Sequence, residues 1–184
     1  MRVKKIAGDL AIALGFVVLV WFIYATGNLF GELASCGVVP RGAIEVGRIL
    51  CAPLVHVDLG HIIANSIPLG VLAFFVIQHG RSQFLLVTLL GAVLGGLGVW
   101  LFGHSGNHIG ASGLIFAYFG YLLASAFFTR TLKTILVAAL TFFLYGYILM
   151  GVFPSGPSVS WEGHLFGLVG GVVVAALMSK TFRA

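Results

Sequence analysis

What this chain lacks above all is charge. Only 8% of its 184 residues are Asp, Glu, Lys or Arg, while 60% are hydrophobic, and the mean hydropathy is +1.12. A water-soluble domain carries about 25% charged residues. A chain with so few cannot clothe a surface facing water, so lipid has to be the solvent for most of it. The apolar runs also lack the alternating polar positions that would line a lumen, and they are about twice the length of a tilted barrel strand. That excludes a six-strand barrel. Cysteine is limited to Cys36 and Cys51, with no metal-type spacing. Both a disulfide, in an oxidising compartment, and two free thiols fit that pair. There is no His-Glu-x-x-His, so an intramembrane metalloprotease would have neither its ligand pair nor its base.

Six apolar runs are long enough to cross a bilayer, which takes about 20 residues each. They cover roughly 6–27, 59–79, 82–102, 112–129, 132–152 and 163–180. Little is left over for loops. The expected fold is an all-α membrane protein, one six-helix bundle spanning residues 1–184 as a single domain. The start, Met1 to Lys5 followed by an apolar run, resembles a signal peptide. Its run continues through Phe22 and Tyr24 to about Gly27, too long for the usual signal core, and is read as a retained first helix.

The net charge of +5 is explained by placement. With the N-terminus in the cytoplasm, Arg2, Lys4, Lys5, Arg81, Arg130, Lys133, Lys180 and Arg183 fall inside. Only Arg41 and Arg48 fall outside. This follows the positive-inside rule and puts both termini in the cytoplasm. No basic patch accompanies aromatics outside the spans, so nucleic acid is not an expected partner. Trp21, Trp100 and Trp161 lie near span ends, as an aromatic belt places them.

The longest connection, residues 28–58, holds Glu32, Glu45 and Asp58 and is expected to carry short interfacial helices. Gly103–Gly110 and Pro154–Ser158 are outer loops. On the sixth span Gly163, Gly167, Gly171 and Ala175 recur every four residues. On the fourth, Gly113, Ala117, Gly120 and Ala124 recur at three or four. Stripes of small residues let helix backbones approach closely in lipid. The fourth and sixth spans are therefore expected to touch.

Strongly polar residues within spans are expensive and mark function by default. His61 and Asn65 lie on the second span, Ser112 opens the fourth and His164 opens the sixth. Those three spans run in the same direction, so the four residues sit at similar depth below the outer surface. A serine beside an imidazole is a nucleophile–base pair. His61 and Asn65, four apart on one helix face, both donate hydrogen bonds. Ser112 lies at a helix start, where free N–H groups favour an anion. These are the parts of an acyl-transfer site. No acid lies within the spans near His164, and Glu162 points elsewhere if the helix has begun, so a Ser–His dyad is expected. His104 and His108 are four apart and suggest a metal pair. Their Gly-rich outer loop is read instead as lining the pocket mouth, and neither metal nor other cofactor is expected.

Gly110-Ala111-Ser112-Gly113 resembles the nucleophile motif of rhomboid intramembrane serine proteases. His56-Val57-Asp58-Leu59-Gly60-His61, followed by Asn65, resembles that family's second-helix pattern. Gly163-His164-Leu165-Phe166-Gly167 with Gly171 resembles its sixth-helix motif. The resemblance runs from Arg48 to Gly171. It implies Ser112 as nucleophile, His164 as base, and His61, Asn65 and the Ser112 N–H as the oxyanion hole. His56, Gly110 and Gly113 would be supporting residues. Phe116 would pack on the base, and Gly167 and Gly171 would let the sixth helix meet the fourth. Substrates would be single-span membrane proteins, cut near the outer side of the bilayer at small residues in locally unwound helix. The lack of a targeting peptide and the minimal size favour a prokaryotic plasma membrane. Gly47 stands before Arg48 where the family often has Trp. The rival reading is a non-catalytic rhomboid-like protein that binds membrane clients, and such relatives usually lack the serine or the base.

Overall fold

The computed structural model describes residues 2–30, 36–154, 156 and 159–181. Glu32, Arg183 and the loop residues Ser155, Pro157 and Ser158, used in the sequence reading, lie outside them. The helices are α1 (Arg2–Phe30), α2 (Val46–Cys51), α3 (Leu59–Ile77), α4 (Arg81–Phe102), α5 (Ser112–Thr129), α6 (Leu132–Tyr145) and α7 (Trp161–Thr181). Among the described residues six segments are long and apolar enough to cross a membrane, and they match the six runs expected. Among the described residues no strand forms beyond one isolated bridge, Val38 to His108. The outward surface is apolar: Phe143 is 85% exposed and Ile67 71%. In water such a surface would be untenable, whereas in lipid it is the solvated face.

α5 is the most enclosed span and α1 and α6 the least. The bundle is built around α5, with α4 and α7 packed tightly beside it and α1 reaching it through α3. The α5–α7 contact is made by the small-residue stripes. A Cβ built on Gly167 would lie 2.2 Å from the Gly113 carbonyl oxygen, and one on Gly171 1.9 Å from that of Ala117. No side chain fits at either point. Tyr118 and Thr88, with hydroxyl oxygens 2.7 Å apart, tie α5 to α4 inside this apolar core.

The first outer connection does carry a short helix, α2, followed by a 3₁₀ turn over Ala52–Leu54. Cys36 and Cys51 form a disulfide across it, which resolves the two readings left open for that pair. Ile49 packs against Gly96 of α4. Trp100 donates its indole N–H to the Gly42 carbonyl at 2.9 Å.

Three local features go beyond the sequence expectations. The fifth span has the expected bounds, Leu132–Val152, but α6 stops at Tyr145 and continues as a 3₁₀ segment from Gly146 to Val152. Glycines at 146 and 151 weaken the α-helix there. Trp21 does not reserve its N–H for the headgroup layer. It donates to Ser66 of α3 at 2.9 Å, which joins α1 to the bundle. Asp9 lies within the first apolar run. Its fully buried carboxylate accepts from Lys5 at 2.7 Å and from Arg81 at 3.0 Å, latching α1 to the start of α4.

Candidate active site

The site is built at the N-terminal ends of α3, α5 and α7. Asp58 caps α3: its carboxylate accepts from the His61 N–H at 2.8 Å, so the helix begins just before His61. The second turn then carries Asn65, which is buried and donates from Nδ2 to the His61 carbonyl at 2.9 Å. His61 and Asn65 thus occupy one face of α3, as their spacing predicts.

Ser112 is the first residue of α5, and Gly110 makes the turn into it. Gly110 has φ +115, a conformation that side-chain-bearing residues avoid. The space of its missing Cβ is filled by His61, whose Cε1 and Nε2 would stand 2.5 and 2.7 Å from it. The His61 ring therefore abuts the backbone two residues ahead of Ser112. His56 holds the same turn from below: its Nε2 accepts the Ala111 N–H at 3.3 Å, and its ring meets His61 edge-on at 4.8 Å between centroids. Burial, reinforced by the neighbouring His61, lowers the His56 pKa from 6.5 to about 4. A neutral imidazole is what that acceptor role requires. As at any helix start, the first N–H groups of α5 have no intrahelical acceptor.

His164 sits in the first turn of α7. Its Nε2 lies 2.9 Å from Ser112 Oγ, and its Nδ1 lies 2.8 Å from the Gly151 carbonyl oxygen. A carbonyl can only accept, so Nδ1 carries the proton. Nε2 then holds the lone pair and receives the Ser112 hydroxyl proton. Phe116, one turn along α5 from Ser112, stacks on the imidazole with centroids 4.3 Å apart and planes at 9°. The ring is thus fixed in tautomer and in orientation. Gly113 lies against the Gly163 carbonyl, Gly167 against Gly113, and Gly171 against Ala117, which sets the height of α7 relative to α5. A cavity opens beside Ser112 toward α2 and α4, lined by Ile49, Gly95, His108, Gly110 and Gly163 among others.

Among the described residues no carboxylate hydrogen-bonds His164. α7 begins at Trp161, so Glu162 does lie within the span, but it faces His104 instead. Its Oε1 accepts the His104 backbone N–H at 2.9 Å and lies 3.1 Å from His104 Nδ1. His108 places Nδ1 against the Ser160 hydroxyl and Nε2 2.9 Å from the His104 carbonyl oxygen. Burial lowers the His108 pKa, an effect that its hydrogen bond to His104 opposes. Sequence reasoning missed the Gly151 carbonyl because a backbone oxygen at the end of a 3₁₀ segment has no residue signature. It also missed Asp58 as a cap, although Asp three residues before His61 is the pattern that signals one.

A sequence model of the Rhomboid domain matches residues 43–181. The chain belongs to the rhomboid family. It is similar to an uncharacterized protein of Mycobacterium tuberculosis, 39% identical over 192 residues, which takes in 99% of this chain and 80% of that protein. It is also similar to a putative rhomboid protease of Bacillus subtilis, YdcA, 29% identical over 140 residues, 72% of this chain and 67% of the other. The rhomboid protease GluP of the same organism is 28% identical over 141 residues, 73% of this chain and 26% of that one. The rhomboid match begins within the first outer connection and takes in α2 through α7, hence every residue of the site described above.

Proposed function

We propose that the protein is an intramembrane serine endopeptidase with a Ser112–His164 dyad, cleaving the transmembrane segments of membrane proteins. The observation that carries this reading is the 2.9 Å contact between His164 Nε2 and Ser112 Oγ, with Nδ1 held by a carbonyl. In this reading Ser112 Oγ attacks the scissile carbonyl carbon and its proton passes to His164 Nε2. That proton is then delivered to the leaving amine as the C–N bond breaks, leaving an acyl ester on Ser112. Water adds to the ester with Nε2 again taking the proton, and the acid product leaves with the serine restored. The Gly151 carbonyl takes the place that a carboxylate fills in a triad: it fixes the tautomer, and it stabilises the imidazolium less than a full charge would.

The developing oxyanion needs donors already aimed. The Ser112 N–H at the start of α5, the His61 imidazole and the Asn65 amide are assigned that role. His56, Gly110 and Gly113 shape the turn, and Phe116, Gly167 and Gly171 place the base. The cavity beside Ser112 is walled by glycines and aliphatic groups, which suits a small side chain at the cleaved bond. The charge asymmetry supports a site toward the outer side and cytoplasmic termini, the short connections between spans support a single domain over 1–184, and the bacterial relatives support a prokaryotic plasma membrane. Single-span proteins are the expected substrates because a lone helix can unwind at the site without disrupting a bundle of its own. No metal or cofactor takes part in this chemistry.

The test is cleavage of a single-span substrate with small residues near its outer membrane border, reconstituted with the protein in liposomes. Cleavage by the wild type and none by Ser112→Ala supports the reading. If wild-type protein binds the substrate without cutting it, the client-binding alternative replaces it.

A further inference from the structure

Beside the Ser112 site lies a second cluster of chemistry-bearing side chains that the dyad does not use. Glu162 is only 2% exposed, and His108 only 8%. The side chain of His104 is a third exposed and gives the cluster a face to solvent. The three come from two places, the loop ahead of α5 and the first turn of α7. One ligand-capable atom from each residue lies within 4.8 Å of the other two. The rings of His104 and His108 meet edge-on at 4.7 Å between centroids.

Two imidazole nitrogens and a carboxylate oxygen form a donor set that zinc takes. We propose that His104, His108 and Glu162 bind a divalent transition ion of the zinc type, clipping the loop before Ser112 to the start of α7.

The hydrogen bonding fits a ligand's needs. The His104 carbonyl can only accept, so His108 carries its proton on Nε2 and presents a lone pair at Nδ1. A ligating histidine characteristically donates its other N–H to a carbonyl or carboxylate, and here that bond is already made. The ion takes the place of the Ser160 hydroxyl at Nδ1 and of the proton between His104 Nδ1 and Glu162. Ligand atoms on tetrahedral zinc stand about 3.4 Å apart for bonds of about 2.1 Å. Closing the widest pair among the ligand-capable atoms, one ring nitrogen of each histidine and one Glu162 oxygen, to that spacing takes at most about 1.4 Å. Gly106, with open space around it, lets the loop make that adjustment. The sequence alone points away from a metal because the histidine pair lies in a Gly-rich outer loop, read as lining the pocket mouth. Glu162, far along the chain, supplies the third donor.

The ion's leverage on the dyad follows from connectivity. His108 precedes Ser112 by four residues, and Glu162 precedes His164 by two. The Ser160 carbonyl also accepts the His164 N–H at 3.1 Å. The inference stands without proteolysis, since binding is read on protein with no activity.

The experiment is calorimetric titration of zinc chloride into the chelator-stripped full chain in detergent, paired with thermal melting. The expected result is one zinc per chain and a raised melting temperature. His104→Ala and Glu162→Gln should each weaken binding at least about tenfold, while Ser112→Ala and His164→Ala bind as the wild type does. His104→Ala removes a part-exposed ring, so it should melt like the zinc-free wild type. His108→Asn repeats the test should it aggregate. Binding that survives His104→Ala and vanishes in His164→Ala would place zinc among the site histidines and overturn the proposal. So would a wild type that takes up no stoichiometric zinc, leaving the cluster a hydrogen-bonded latch.

Discussion

The groups that fix the His164 ring do so without charge. The Gly151 carbonyl sets the tautomer and Phe116 sets the plane. Aromatic stacking of this kind is worth about 0.5–1.5 kcal/mol, and a factor of ten in rate is about 1.4 kcal/mol. Phe116→Ala is therefore expected to lower kcat/KM by about two- to tenfold. Phe116→Tyr, which keeps the ring plane, should lose little. Both are measured by cleavage of a reconstituted substrate. An unchanged Phe116→Ala would mean that the carbonyl alone holds the base. The identities of Ser112, His61, Asn65 and His164 were legible from polarity within apolar runs, because such residues are few. Gly151 was not, because its contribution is a backbone atom. Asp9 stood in plain view within the first run. Its meaning needed Arg81, whose proximity to Asp9 is a fact of packing between distant segments.

At the scale of elements, the α5–α7 pair decides whether the dyad can assemble. Gly167→Ala would bring a methyl to 2.2 Å from the Gly113 oxygen. The helices have to part, and overpacking of this sort costs about 1–3 kcal/mol. The variant is expected to melt at a lower temperature and to lose activity beyond its loss of stability, since parting α5 from α7 lengthens the Ser112–His164 contact. Gly15, which has nothing near its missing Cβ, supplies the control: Gly15→Ala should leave both unchanged. The six spans, the α5–α7 contact and the short helix in the first outer connection were all legible, because run length and small-residue spacing are local properties of the chain. The 3₁₀ end of the fifth span was not. Its run is as apolar as any other, and hydrophobicity does not distinguish a 3₁₀ turn from an α-helical one.

For the molecule as a whole, lipid replaces water as the solvent, and the charged side chains gather at the two ends of the bundle. Two histidines outside the spans give this a measurable consequence. Burial, with His61 nearby, lowers the pKa of His56 to about 4 from 6.5. Burial, with Lys133 nearby, lowers that of His79 to about 4 as well. An unfolded chain takes up protons on both as pH falls through 6.5, while the folded one resists until about 4. Their contribution to stability is thus complete above 6.5, declines as pH falls toward 4 and is gone below it. The melting temperature in detergent should drop across that window, and the drop should shrink in a variant carrying His79→Gln. A flat profile would show that both imidazoles are hydrated in the folded protein.

The central claim is that Ser112 is an activated nucleophile and His164 is what activates it. Labelling of detergent-solubilised protein with a fluorophosphonate probe tests it most directly, with the wild type beside Ser112→Ala and His164→Ala. The account predicts labelling of the wild type, none of Ser112→Ala and a loss of at least about a thousandfold in rate for His164→Ala. Equal labelling of His164→Ala, or a folded wild type that stays unlabelled, would contradict it.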